Sequence, residues 1–134
     1  MSGNSATTAA PIDFGRYIHD DKKQGVFSVN REIFNTPELY DLEMEYIFEA
    51  NWVFLCHESQ VPNPHDFYTT HMGRQPVVVT RDKEGELNAF INACSHKGSK
   101  LCLTRQGNTK FHTCTYHGWV FDSQGNSISV KDRD

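Results

Sequence analysis

The spacing of apolar residues predicts a helix near the start of the chain. Pro37 suits the first position of a helix, and Thr36 precedes it as a candidate N-cap. Glu38 would lie in the positive first turn. Apolar residues then recur at helical intervals at Leu39, Leu42, Tyr46 and Ile47. The sequence therefore predicts one helix over residues 37–51.

From Trp52 onward the pattern changes to short runs rich in β-branched and aromatic residues, which predict strands. These runs are "WVFLC" (52–56), "DFYTTHM" (66–72), "QPVVVTR" (75–81), "ELNAFIN" (86–92), "KFHTC" (110–114) and "WVFD" (119–122). The segments "DKEG" (82–85) and "SQGN" (123–126) have the composition of hairpin turns. We expect a mainly β fold: a flexible tail over residues 1–24, a helical lead-in over 25–51 and a small antiparallel β domain over 52–134.

Composition narrows the function classes. The 134 residues carry a net charge of -4 with no dense Lys/Arg run, so nothing favours nucleic-acid binding. No apolar stretch is long enough to span a membrane, and the N-terminus lacks the features of a signal peptide. We therefore expect a cytoplasmic protein. Its four cysteines should stay reduced there, which favours metal binding over disulfides.

The candidate metal ligands form two short motifs. Cys94 and His96 form C-x-H, Cys114 and His117 form C-x-x-H, and seventeen residues lie between His96 and Cys114. Thiolate and imidazole are the donors that soft or borderline metals select. A structural zinc site is one alternative. A zinc finger, however, normally groups two cysteines and then two histidines, whereas each motif here supplies one of each.

The mixed motifs suit a two-iron cluster with unlike ends, in which one iron takes both cysteines and the other both histidines. This is the Rieske [2Fe–2S] pattern. Two neutral imidazoles in place of two thiolates leave the oxidised centre uncharged, so it accepts an electron more readily than an all-cysteine cluster. Gly98 and Gly118 would leave room beside the cluster, where N–H groups can donate to sulfur. Tyr116 could supply a hydrogen bond and Trp119 an apolar lid, although simple core packing explains either residue equally well.

The segments "CSHKG" and "CTYHGW" resemble the signature of Rieske non-haem iron aromatic-ring-hydroxylating dioxygenases. From about Gly25 onward, the chain is similar to the N-terminal region of the large (α) subunits of the benzoate, anthranilate, halobenzoate and salicylate oxygenase group. The resemblance implies that Cys94 and Cys114 bind the inner iron, and that His96 and His117 bind the outer one. Lys97 stands where the group more often has arginine, so it keeps the charge but loses the planar fork.

The resemblance also implies a longer protein. A full α subunit has a second domain with a mononuclear iron held by two histidines and a carboxylate. That domain is absent from this chain, and the Rieske domain is incomplete at residue 134. Electrons would come from an NADH-dependent flavin and iron–sulfur reductase, a β subunit would complete the oligomer, and the substrate would be an aromatic acid. A free-standing Rieske ferredoxin is the alternative, but the leading helix favours the oxygenase.

The remaining histidines do not form the family's second iron motif, and each is expected to be a surface or packing residue. They are His19, His57, His65, His71 and His112. Cys56 and Cys102 are expected in the core.

Overall fold

The computed structural model describes residues 13–130. They fall into two compact units, and the division lies between Glu43 and Met44. No helix among the described residues is long and apolar enough to cross a membrane.

The first unit contains a hairpin that the sequence analysis missed. Strands β1 (Ile18–Asp21) and β2 (Val26–Val29) pair in antiparallel register. The Asp21 carboxylate accepts the N–H groups of Lys23 and Gln24 in the connecting turn. A 3-10 turn, Phe14–Arg16, precedes β1. Within the segment predicted as a flexible tail, residues 1–24, the structure thus has a 3-10 turn and strand β1, and residues 1–12 lie outside the described part of the chain.

The predicted helix is shorter than expected. Helix α1 spans Pro37–Glu43, and the segment Met44–Phe48 has the wider π-helical hydrogen bonding. The Thr36 carbonyl accepts the N–H of Tyr40, as an N-cap carbonyl does, but its hydroxyl donates to the Glu32 carbonyl at 2.7 Å. Thr36 therefore marks the start of α1 without capping it through its side chain.

The second unit is built on a four-stranded antiparallel sheet. Its strands are β3 (Asp66–Met72), β4 (Gln75–Arg81), β5 (Leu87–Ile91) and β6 (Gln106–Asn108), in the spatial order β5-β4-β3-β6. Strand β4 is central, and its residues 77–80 are all buried. A three-stranded sheet follows, with β7 (His112–Thr113), β8 (Val120–Phe121) and β9 (Ser127–Ser129) in that order. The prediction of a mainly antiparallel β fold is confirmed.

The strand predicted over residues 52–56 is wrong. This segment pairs with no other strand among the described residues. Trp52 is fully exposed and Phe54 is 79% exposed, so the apolar run does not enter the core. Both predicted turns are present: Gly85 N–H donates to the Asp82 carbonyl, and Gly125 N–H donates to the Asp122 carbonyl.

The core has two clusters of buried side chains. The first joins Cys94, Leu101, Cys114 and Phe121, and the second joins Phe67, Val78 and Cys102. Phe90 packs against both clusters. The loops that carry the candidate ligands are thus anchored in the core at their cysteines.

Candidate metal centre

The first ligand loop, residues 94–99, follows strand β5. The Cys94 N–H donates to the Ser99 carbonyl at 2.7 Å, and the Gly98 N–H donates to the Cys94 carbonyl at 2.8 Å. Gly98 has φ +71, the left-handed region that side chains with a Cβ rarely adopt. These two hydrogen bonds close a tight loop around Cys94.

The second ligand loop, residues 114–119, connects β7 to β8 and repeats the same pattern. The Cys114 N–H donates to the Trp119 carbonyl at 2.8 Å, and the Gly118 N–H donates to the Cys114 carbonyl at 2.9 Å. Gly118 has φ +74. The two loops therefore share one backbone hydrogen-bonding pattern, although their histidines stand at different places, second after the cysteine in one loop and third in the other.

The structure brings the four predicted ligands together as two chemically distinct pairs. Cys94 and Cys114 belong to one buried cluster and are 3% and 2% exposed. His96 and His117 are exposed, and their ring centroids lie 4.7 Å apart. The result is a buried pair of thiols with a solvent-facing pair of imidazoles.

The surroundings of Cys114 favour its thiolate form. Burial is the largest single influence and by itself would raise the pKa of the thiol. The backbone N–H groups of Tyr116 and His117, with the side chains of Cys94 and Ser99, outweigh it, so the pKa of Cys114 lies below its usual value. A thiolate is the form that binds metal.

Two aromatic side chains stack on the candidate ligands. The Trp119 ring lies parallel to His96, with centroids 4.8 Å apart and planes 8° apart. Trp119 also packs against the buried cluster that holds both cysteines. Tyr116 lies on His117 with centroids 3.9 Å apart, and it is 65% exposed, so its place is at the surface of the loop and not in the core.

The structure places the two loop glycines where the backbone turns back on each cysteine. Their own N–H groups donate to cysteine carbonyls, and a Cβ at either position would have no atom within 4 Å. Their requirement is conformational, because both have positive φ. The N–H groups that reach a thiol are those of Tyr116 and His117.

Asn92 supports the first loop, and the sequence analysis missed it. It is 1% exposed. Its Oδ1 accepts the N–H of Cys102 at 2.8 Å and that of Leu101 at 3.2 Å, while its Nδ2 donates to the Cys102 carbonyl at 2.9 Å. The one signal in the sequence was a polar residue at the end of a predicted strand, two residues before the cysteine of the C-x-H motif.

The other cysteines and histidines have separate roles. Cys102 lies in the core as predicted, and burial raises the pKa of its thiol to about 11. Its Sγ lies 3.0 Å from Nδ1 of His112. Burial also lowers the pKa of His112, and the Asp122 carboxylate opposes that shift. Cys56, predicted in the core, is half-buried.

Of the remaining histidines, His19, His57 and His71 are exposed, and His65 is half-buried. The His57 side chain caps the 3-10 turn Glu58–Gln60. Across residues 13–130, no three His, Cys, Asp or Glu side chains come close enough together to hold a single metal ion.

The donors nevertheless fit a group of two irons. Such a group takes two protein ligands at each end, and the site offers one pair of thiols and one pair of imidazoles. All four cysteines are free of disulfides. The chemistry of the donor set and its division into pairs therefore match a [2Fe–2S] group better than one tetrahedral zinc ion.

The chain is similar in sequence to known oxygenase subunits. The chain is 54% identical over 115 residues to the toluate 1,2-dioxygenase subunit alpha of Pseudomonas putida, covering 86% of this chain and 25% of that protein. It is 51% identical over 115 residues to the 2-halobenzoate 1,2-dioxygenase large subunit of Burkholderia cepacia, covering 86% of this chain and 25% of that protein. The chain thus spans about a quarter of the length of these curated relatives.

The fold is also similar to a solved structure. The crystal structure of naphthalene 1,2-dioxygenase from Rhodococcus sp. bound to indole matches with a TM-score of 0.73 at 38% identity, over 78% of this chain and 24% of that one. The Rieske [2Fe-2S] domain family matches residues 51–134, which include both ligand loops. Because that match covers more than half of the sequence, the chain belongs to the Rieske [2Fe-2S] domain family.

Proposed function

We propose that this chain is the electron-accepting domain of the α subunit of a ring-hydroxylating dioxygenase that acts on an aromatic carboxylic acid in the cytoplasm. The observation that carries the proposal is the buried thiol pair beside an exposed imidazole pair, on two loops of matching backbone. Relatives named as toluate and 2-halobenzoate dioxygenase subunits support an aromatic acid as the substrate of the whole enzyme. They also favour an oxygenase component over a free-standing ferredoxin.

Cys94 and Cys114 would hold one iron, and His96 and His117 the other. When bound, the [2Fe–2S] group supplies one-electron acceptance and donation, at a potential raised by the two imidazoles. The cysteines keep their end of the site away from water, since both are almost fully buried. The exposed histidines form the end that faces electron-transfer partners.

The aromatic residues and glycines of the loops would act around these ligands. Trp119 lies flat on His96 and shields one face of that ring, and Tyr116 covers part of His117. Gly98 and Gly118 allow both loops to turn back on their cysteines. Together, the two aromatic residues and the two glycines would hold the imidazole rings in fixed orientations and exclude water from one side of the site.

The charges of the segment that carries both ligand loops suit an acidic electron donor. Residues 87–121 contain four cations and no carboxylate, whereas the whole chain has a net charge of -4. Lys97 and Lys100 lie on or next to the first loop and are exposed. Complementary charge steers association and accelerates it. We infer that an NADH-dependent flavin and iron–sulfur reductase approaches this face, and that the remainder of the α subunit and a β subunit complete the enzyme.

Iron, sulfide and zinc analysis of the purified chain tests the proposal. We expect about two irons and two labile sulfides per chain, a red-brown colour and a Rieske-type EPR signal after reduction. One zinc per chain without labile sulfide would refute the metal assignment.

A second measurement separates electron uptake from hydroxylation. With a reductase of this type, NADH, oxygen and benzoate, anthranilate or salicylate, we expect cluster reduction without aromatic product. Oxygen activation needs an iron with open positions, held by two histidines and a carboxylate, and no such group exists within residues 13–130. Product formed by this chain alone would contradict that conclusion.

A further inference from the structure

Three buried polar side chains lie beneath the two ligand loops and are not themselves candidate ligands. Asn92 is 1% exposed, His112 is 3% exposed and Cys102 is 6% exposed. Buried polar groups normally need defined partners, because leaving them unpaired is costly. Asn92 bonds to the backbone at the base of the first loop, and the Cys102 sulfur meets Nδ1 of His112 in strand β7. Nε2 of His112 is buried without a hydrogen-bond partner in the described part of the chain.

Asn92 closes the first loop at its base. Its side-chain amide makes one hydrogen bond to Leu101 and two to Cys102, on the far side of the loop from its own backbone. Its backbone N–H donates to the Pro76 carbonyl of strand β4 at 2.8 Å. One residue thus fixes both ends of the segment that carries Cys94 and ties that segment to the central sheet.

Cys102 extends this connection to the second loop. Its Sγ lies 3.0 Å from Nδ1 of His112, which belongs to β7 and stands two residues before Cys114. The rings of Phe67 and Phe90 meet the His112 ring edge-on, with centroids 5.6 and 5.7 Å away. The imidazole is therefore held in place by its contacts with both rings as well as by the sulfur.

We propose that Asn92, Cys102 and His112 form a polar bridge that positions the two ligand loops relative to each other. This inference rests on the proposed function, since it assigns these residues to the retention of the iron–sulfur group. Apolar packing is not directional, whereas hydrogen bonds fix both distance and orientation. A ligand set must be held to within about 0.5 Å of its working geometry, and a buried hydrogen-bonded support provides that precision.

The test compares iron release with global stability in matched variants of the iron-loaded chain. Asn92→Ala removes all three side-chain hydrogen bonds. Its control is Asn88→Ala, in the adjoining strand β5, where the amide donates to Asp82 and Glu86. Cys102→Ala removes the sulfur contact, and Cys102→Ser retains a donor and acceptor at the same place. Val78→Ala removes apolar packing from the core cluster that includes Cys102 but removes none of the polar contacts of Asn92, Cys102 and His112.

The readouts are the rate of iron transfer to a ferrous chelator, the EPR g-values and the urea midpoint. We expect Cys102→Ala to release iron roughly tenfold faster, a factor typical of one lost buried hydrogen bond. Asn92→Ala loses three hydrogen bonds and should release iron at least as fast. We also expect broadened or shifted EPR features in both. Cys102→Ser and Asn88→Ala should release iron within about twofold of the parent rate, because both variants keep the hydrogen bonds of the bridge.

One pattern would overturn the proposal. If the release rates of all variants, Val78→Ala included, follow their urea midpoints on one line with unchanged EPR spectra, the three residues are ordinary core. Should Asn92→Ala fail to fold, the Cys102→Ala and Cys102→Ser pair still decides the question. Absence of iron and sulfide from the unmodified chain would defeat the proposed function instead, before any variant is compared.

Discussion

Alanine at Gly98 or Gly118 tests whether these residues serve the loops through backbone conformation. Both glycines have φ above +70, and a Cβ at either position would meet no atom within 4 Å. The substitution therefore clashes with no atom of the chain itself, and its cost to the metal-free protein is that of the left-handed conformation, about 1–2 kcal/mol. With a urea m-value of about 2 kcal/mol/M, within the usual range for small proteins, each variant should unfold at a midpoint lower by roughly 0.5–1 M.

The structural consequence should reach the ligands. Each glycine N–H donates to the carbonyl of its loop's cysteine, so a loop that relaxes toward negative φ loses that hydrogen bond. We expect lower iron occupancy and faster bleaching of the visible absorbance in Gly98→Ala and Gly118→Ala. The assay is urea unfolding by circular dichroism, with absorbance followed in the same samples.

Two controls separate the causes. Gly85 also has positive φ and open space, but it lies in the turn after β4, so Gly85→Ala should lose similar stability and keep its iron. Gly98→Asn should be milder than Gly98→Ala, because asparagine tolerates the left-handed region better. If Gly98→Ala and Gly118→Ala unfold like the parent, or if asparagine is as damaging as alanine, the conformational argument is refuted.

Three further outcomes follow from the site and its surroundings. Cys114→Ser should abolish the visible chromophore, while His117→Cys, where the cluster survives, should show a lower potential in voltammetry because a thiolate adds negative charge; a raised potential would contradict the ligand assignment. Hydrogen bonds from Arg74 lower the pKa of Glu49 to about 2, so Glu49→Gln should reduce stability near neutral pH. Since the folded pKa is depressed, this deficit should shrink as pH falls from about 4.5 toward 2, and a deficit independent of pH in urea titrations would exclude the ion pair as its cause. Reduction of the cluster by an acidic reductase should slow with added salt, and Lys97→Gln should weaken that dependence in stopped-flow measurements.

The success of the strand predictions depended on burial. The bounds of β3 and β4 agree with the sequence prediction, because β4 carries the buried run "VVVT" and β3 pairs with it along its length. Strands β6 and β9 were missed, since "QGN" and "SIS" are short, exposed and mostly polar. The run "WVFLC" was misassigned because apolar composition predicts a strand only where a partner strand exists to receive its hydrogen bonds.

The residues of the candidate site also differ in how far the sequence alone could predict them. Its four candidate ligands could be picked out from the sequence because they stand close together in two local motifs whose spacing has chemical meaning. The bridge was not predictable, because Asn92, Cys102 and His112 are ten residues apart in each step and no local pattern connects them. Their proximity arises from the path of the chain between β5 and β7, which only the folded structure supplies.

The matching backbones of the two loops explain how each loop can supply one residue to the thiol end of the site and one to the imidazole end. Both loops bury their cysteine by the same pair of backbone hydrogen bonds, so the thiols meet in the core. Beyond the cysteine, the histidine stands one place later in the second loop than in the first, and both imidazoles still reach the same exposed side, 4.7 Å apart. The shift leaves Tyr116 at the place in the second loop that His96 has in the first, and Tyr116 stacks on His117 while Trp119 stacks on His96. The offset thus places Tyr116 beside His117, and Trp119 is the aromatic neighbour of His96, while the thiols remain buried and both imidazoles stay exposed.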